Sequence, residues 1–211
     1  LNDDFLPIKK EGFVLWPLNF EVKGEIVVCE GLSSKRVSRD YRLKLPPELR
    51  NIAPRAFDIF GSMAIIKMND EIMDYLDIIS KTLLASNPNI DRVALDQGVK
   101  GEFRIRELVM IQGESNFIGL HKENGLKLKL DVSKVYFSPR LAMERKRIVD
   151  YASKGESILD AFAGASPFSV GLAKKGCKVT SVDSNPEAEK WSHENFRLNN
   201  IKSEDYKFIT S

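Results

Sequence analysis

Read for apolar periodicity, the chain divides into short two-periodic runs and a few stretches with a period near 3.6. Phe13 to Leu15 and Glu25 to Cys29 are strand-like, and Pro46-Pro47 ends this opening block in a turn. Phe57 to Met68, FDIFGSMAIIKM, reads as strand material broken by a glycine. From Asp70 to Ala85 the apolar residues Ile72, Met73, Leu76, Ile79, Leu83 and Leu84 predict a helix. Further strand-like runs follow at Arg92 to Leu95, Phe103 to Ile111, Phe117 to His121 and Leu126 to Asp131. Ser138-Pro139 has the form of an N-cap with proline at the first helical position, which predicts a helix over Arg140 to Ser153. Three blocks result: a small N-terminal domain over residues 1–50, an α+β middle domain over 51–135, and an α/β domain over 136–211.

The last block opens with the most specific pattern. A short apolar run ends in Asp160 and is followed by the small-residue turn Ala163-Gly164-Ala165-Ser166. An amphipathic segment with Phe168, Val170, Leu172 and Ala173 comes next, and a second apolar run closes on Asp183. Strand, tight turn, helix, strand and acid form the nucleotide-binding half of a doubly wound sheet, in which the acid can accept hydrogen bonds from ribose hydroxyls. A dinucleotide site wants three glycines in this turn, so that a pyrophosphate can sit on the helix N-terminus. Here only the first is present, and Pro167 removes a backbone N–H that a phosphate could use. A cofactor without phosphate, S-adenosylmethionine, is therefore expected, and an NAD-dependent oxidoreductase is disfavoured.

Composition adds bounds. At 211 residues, 43% hydrophobic and 29% charged, the chain has the makeup of an ordinary globular protein. No apolar run of about 18 residues is present to span a membrane, and no signal-peptide pattern is visible. The first residue is Leu1 rather than methionine, which allows a native start further upstream. Cys29 and Cys177 lie far apart without a C-x-x-C or histidine cluster, so no metal is expected and a reducing cytoplasm is. Both histidines, His121 and His193, are expected at the surface. Net charge is only +2, yet Lys35 to Arg55 holds seven basic residues against two acidic ones. Lys134 to Arg147 holds five against one. Such runs suit either contact with a polyanion or solvated helix faces.

The segments FDIFGSMAIIK, GEFRIRELVMIQGE, HKENGLKLKLDVSKVYFSPRLAMERKRI and ILDAFAGASPFSV occur in this order at close spacing. In them the chain resembles the archaeal and eukaryotic tRNA (guanine-37-N1)-methyltransferases, the Trm5 family, over nearly everything from residue 45 onward. The resemblance implies a class I, Rossmann-like methyltransferase domain behind a tRNA-elbow-recognising domain and a middle domain. It implies methyl transfer from S-adenosylmethionine to N1 of guanosine 37, with the anticodon branch and elbow of tRNA as partners. Guanine N1 carries a proton at neutral pH, so the reaction needs a base and a group that steadies charge on O6. By resemblance Glu144 is the base, Arg104 the stabiliser reaching in from the middle domain, and Arg145 its support; Arg140 is a candidate for holding the tRNA backbone. Asp160, Ala161, Phe162, Ala163 and Gly164 are expected along the methionine and ribose end of the cofactor, and Asp183 on the ribose. Ser184 and Asn185 are placed to reach the adenosine, while Tyr136 and Phe137 either line the pocket or pack in the core.

Two departures from the family pattern stand out. Where the family has Gly-Val-Gly or Gly-Ile-Gly, this chain has Gly164-Ala165-Ser166, and a serine there is strained if its φ is positive. The chain also stops at Ser211, after the third strand of the α/β domain (Tyr206 to Thr210), so a fragment is expected. A wyosine-pathway transferase on the same tRNA position stays open, either a methyltransferase on a tricyclic precursor or an aminocarboxypropyl transferase. Pro139-Arg140-Leu141 speaks against the second of these. A non-catalytic tRNA- and cofactor-binding module is the further alternative.

Overall fold

In the computed structural model, which describes residues 7–18 and 40–211, the chain separates into two units, Leu1–Arg39 and Asp40–Ser211. In the first, β1 (Ile8–Lys10) and β2 (Phe13–Leu15) form an antiparallel hairpin. The strand expected at Glu25 to Cys29 and the basic residues Lys35, Arg36 and Arg39 lie outside the described residues.

The second unit begins with a four-stranded sheet. The broken apolar run becomes the hairpin β3 (Asp58–Phe60) and β4 (Met63–Ile66). The helix predicted from Asp70 starts as a 3-10 turn, Asp70–Tyr75, and runs into α1 (Leu76–Ser86). This crossover brings β5 (Arg92–Lys100) parallel to β4, and β6 (Ile105–Gln112) pairs antiparallel with β5. All four residues of β4 are buried, because the sheet is covered on both faces. Ala64 and Ile66 meet Ile79 and Leu83 of α1 in one core, together with Tyr41, Leu45 and Leu49. Met63 and Ile65 face the other way, into a second core built with Leu128, Leu130, Val170 and Phe196.

That second core joins the sheet to the α/β layer. The hairpin β7 (Ile118–Glu123) and β8 (Leu126–Asp131) leads through a 3-10 turn, Pro139–Leu141, into α2 (Ala142–Tyr151). Ser138 occupies the N-cap position without making a side-chain capping bond. Then come β9 (Ser157–Asp160), α3 (Pro167–Lys175), β10 (Lys178–Asp183), α4 (Pro186–Leu198) and β11 (Tyr206–Thr210). The three strands are parallel in the order β11-β10-β9, the expected α/β arrangement. Among the described residues no helix is long and apolar enough to cross a membrane.

One edge of β8 is paired by side chains instead of a strand. The Lys129 N–H donates to Asn195 Oδ1 (2.6 Å) and the Lys127 N–H to Asn199 Oδ1 (3.0 Å), while Asn199 Nδ2 donates back to the Lys127 carbonyl (2.7 Å). Asn195 Nδ2 reaches the Ala165 carbonyl (2.9 Å), so this fully buried amide ties hairpin, α4 and glycine turn together. Alanine in its place strands the buried Ala165 carbonyl and the half-buried Lys129 N–H. Asn195→Ala is expected to cost about 2–4 kcal/mol in urea unfolding; a loss near zero would mean that the hairpin docks without it.

Candidate cofactor and substrate site

The Rossmann-like turn is held by one carboxylate. Asp183, at the end of β10, accepts from the Gly164 N–H through Oδ2 (2.6 Å) and from the Asn185 N–H through Oδ1 (2.9 Å). Gly164 sits at φ +51°, a conformation that glycine adopts without steric cost. Asp160, at the end of β9, accepts from Ser169 Oγ (2.7 Å), which in turn accepts from Ser181 Oγ (2.8 Å). Burial pushes the Asp160 carboxyl above its ordinary value and the Asp183 charge adds to this, against the bonds from Ser169 and the Phe162 backbone. Around the turn Ala161, Phe162 and Ser184 are exposed, Phe162 to 94%, and Ala163 is buried. The Asn185 side chain caps α4 by accepting from the Glu187 N–H (3.0 Å) and donates to the Lys134 carbonyl (2.7 Å), while its own carbonyl accepts from the Ala188 N–H (2.9 Å). Phe137 lies in the core, 5.1 Å from Phe60 and 5.3 Å from His121 between ring centres, so packing is its role; Tyr136 is half exposed beside the turn.

Two carboxylates, an exposed aromatic ring and a turn with one glycine make an acceptor-rich cradle. That donor and acceptor set fits a cationic ligand with ribose hydroxyls, as S-adenosylmethionine is, and its two carboxylates disfavour a pyrophosphate. Each Asp183 oxygen keeps a lone pair after its backbone bond.

The residues expected on the substrate side are spread over three segments. Glu144, in the first turn of α2, is held by Arg147 (2.7 and 2.8 Å), whose hydrogen bond keeps its carboxyl below the ordinary value. Arg145 does not share a site with Glu144. It turns inward, is 2% exposed, pairs with both oxygens of Glu123, donates to the Ser138 carbonyl (3.1 Å) and lies over the Phe137 ring. Burial pushes Glu123 up, but its bonds to His121 and Arg145 outweigh this and hold it low. His121 is accordingly no surface residue: it stacks on Phe60 at 5.6 Å with its side chain 16% exposed. Arg104 precedes β6 in an exposed turn at φ +52°, rather than alternating with Arg106 along a strand. Among the described residues it makes no side-chain bond to the other candidates. Arg140 donates through Nε to Asp58 Oδ1 (2.8 Å).

The basic run from Lys134 to Arg147 is neutralised in space. Its five cations pair with Glu187, Asp58, Glu123, Asp150 and Glu144. Sequence reasoning passed over Asp58 and Glu123, although an acid inside FDIF and the alternation of His121 with Glu123 both signal buried charge that needs a partner.

Residues 119–207 match the TRM5/TYW2 methyltransferase domain family, and residues 39–116 match the TYW2 N-terminal domain family. The chain is 43% identical over 206 residues to the tRNA (guanine(37)-N(1))-methyltransferase Trm5b of Pyrococcus abyssi, covering 95% of this chain and 62% of the relative. The crystal structure of Trm5b from Pyrococcus abyssi superposes with a TM-score of 0.75 at 40% identity, over the whole of this chain and 64% of the other. The complex of aTrm5 with tRNALeu gives 0.71 at 29% identity, over the whole of this chain and 67% of the other. The chain thus spans under two thirds of the length of that Trm5b relative.

Ser166 is the strained member of the turn. Its φ is +60°, it is fully buried, and its hydroxyl meets Ser192 Oγ at 2.6 Å. With Ser192→Ala as background, Ser166→Gly is expected to raise the unfolding free energy by about 1 kcal/mol, because glycine escapes the left-handed penalty. Urea titration of the two variants measures this, and a further loss would show that the serine is unstrained.

Proposed function

The chain belongs to the TRM5/TYW2 methyltransferase family, and on that footing we propose that it serves methyl transfer from S-adenosylmethionine to N1 of guanosine 37 in tRNA. The observation that carries this reading is the carboxylate-flanked turn of Asp160, Gly164 and Asp183, in a chain 43% identical to a tRNA (guanine(37)-N(1))-methyltransferase. The bound cofactor supplies a methyl group on a sulfonium, electrophilic enough to react with a ring nitrogen. Asp183 accepts from the ribose hydroxyls with its remaining lone pairs. Asp160, with Ala161 to Gly164, faces the methionine end, and the Ser184 and Asn185 backbone faces the adenosine.

On the substrate side Glu144 takes the N1 proton and Arg104 steadies the charge that builds on O6. Arg145 supports the site from behind, by fixing the start of α2 to Glu123. Arg140 holds the RNA backbone. Recognition of the tRNA elbow by residues 1–50 and a cytoplasmic location complete the reading. A TYW2-type reaction at the same tRNA position is the second reading, favoured by the match of residues 39–116 to the TYW2 N-terminal domain family.

Labelled methyl transfer by the complete gene product to unmodified tRNA with G37, against a G37→A transcript, tests the proposal. Label in the first alone supports it; label in neither, with transfer to a wyosine precursor, favours the second reading. Glu144→Gln is expected to lower kcat by about 100-fold or more while leaving S-adenosylhomocysteine affinity unchanged. Unaltered turnover would remove Glu144 from the mechanism. Because the Arg147 hydrogen bond depresses the Glu144 pKa, the base stays ionised through the ordinary carboxylate range, and activity is lost only as pH falls below it. Arg147→Ala lets that pKa rise, so the acid limb of the rate profile is expected to move to higher pH. A limb that stays in place would mean another group is the base.

A further inference from the structure

Arg140 carries its charge in an unusual posture. Its side chain is 73% exposed, yet its Nε is fastened to a carboxylate that is only 9% exposed, Asp58 of β3. Asp58 is itself held on its other oxygen by Arg106 of β6 (2.8 Å), and Arg106 also faces Asp96 at 3.6 Å. Arg106 and the sheet therefore fix the Asp58 carboxylate before Arg140 arrives. An ion pair with so exposed an arginine contributes little to stability. What it does determine is orientation. With Nε bound, the guanidinium is tethered at one corner, and among the described residues Nη1 and Nη2 make no hydrogen bond, so its terminal edge remains a two-donor fork on a largely exposed side chain. That fork has the geometry of a phosphate contact.

We propose that Asp58 is a positioning residue for tRNA binding: it holds Arg140 by Nε so that the two terminal nitrogens meet a backbone phosphate together. The inference rests on the RNA reading above but not on methyl transfer. It also opposes simple electrostatics. Asp58 is an anion beside a site for a polyanion, so by charge alone its removal would tighten RNA binding. If it positions Arg140, its removal weakens binding.

The test is the affinity of the complete gene product for unmodified tRNA over a salt series, with S-adenosylhomocysteine affinity and thermal melting measured alongside. Asp58→Asn is expected to weaken tRNA binding by about five- to tenfold with cofactor affinity unchanged. Arg140→Ala is expected to lose a similar factor and to reduce the salt slope by about one. The double variant is expected to lose no more than Arg140→Ala alone. Arg140→Lys keeps the charge but not the Nε bond, and is expected to bind as poorly as Arg140→Ala, which guards against misfolding of the Asp58 variant. Tighter binding by Asp58→Asn overturns the proposal. So does wild-type affinity in Arg140→Lys, or a full Asp58→Asn loss that persists without Arg140. A wild-type chain that binds tRNA while Arg140→Ala changes nothing overturns the inference and leaves the RNA reading standing. A wild-type chain that binds no tRNA overturns both.

Discussion

Burial of β4 on both faces is the constraint from which the arrangement of the site follows. Met63 and Ile65 point into one core while Ala64 and Ile66 point into the other, so the strand admits a single register. A shift by one residue would exchange the two sets. Both sets would stay buried, so the cost of the shift is misfit of Ile and Met in cores shaped for the other pair, about 1–3 kcal/mol for each overpacked site. With β4 fixed, β3 and its Asp58 stand at a defined edge, and the Pro139–Leu141 turn packs beside them. Residues far apart in the chain thereby acquire a fixed geometry without any continuous element linking them.

Charge is handled differently inside and outside this frame. Glu123 with Arg145 and Asp58 with Arg106 are buried pairs, and breaking one costs about 3–5 kcal/mol. The pairs Glu144–Arg147 and Lys146–Asp150 are exposed, and solvent screening leaves them little to contribute to stability. The difference sorts the basic run of α2 by what an incoming polyanion can recruit. Exposed cations can leave their carboxylates for phosphates at small cost. Arg145 cannot, because moving it would strand Glu123 in the core. Its adjacency to Glu144 in sequence is therefore not adjacency in space of the two charges: on a helix, neighbouring positions point in different directions.

How much was legible in the sequence follows the range of the forces involved. The strands and helices of the second unit were visible because their periodicity reflects which face is buried, a property repeated every two or four residues. The glycine turn was visible because Asp160, Gly164 and Asp183 sit at spacings set by one strand-turn-helix unit. Arg104 was misread as a strand residue because the start of β6 is decided by the β5–β6 turn, not by local alternation. His121 was misread as a surface residue because its cover comes from Phe60 and Phe137, at distant points in the chain. Nothing local marks Asn195 either, whose amide satisfies backbone groups 30 and 66 residues away.

The turn itself shows how a departure from a favoured residue is accommodated. At Ser166 the backbone remains left-handed although the side chain penalises it by roughly 1–2 kcal/mol. Such a conformation persists only where the surroundings over-determine it. Here they do so three times: the Ser166 N–H donates to the Ala163 carbonyl (2.8 Å), its own carbonyl accepts from the Val170 N–H (3.0 Å), and its hydroxyl meets Ser192 in α4. The first two bonds would form with glycine as well. The third is available only to a side chain, and it connects the turn to the helix that Asp183 and Asn185 already bind from the other end. The serine thus exchanges conformational ease for an additional fastening, so that α4 is anchored to the cofactor turn by side chains on both its first and its middle turns.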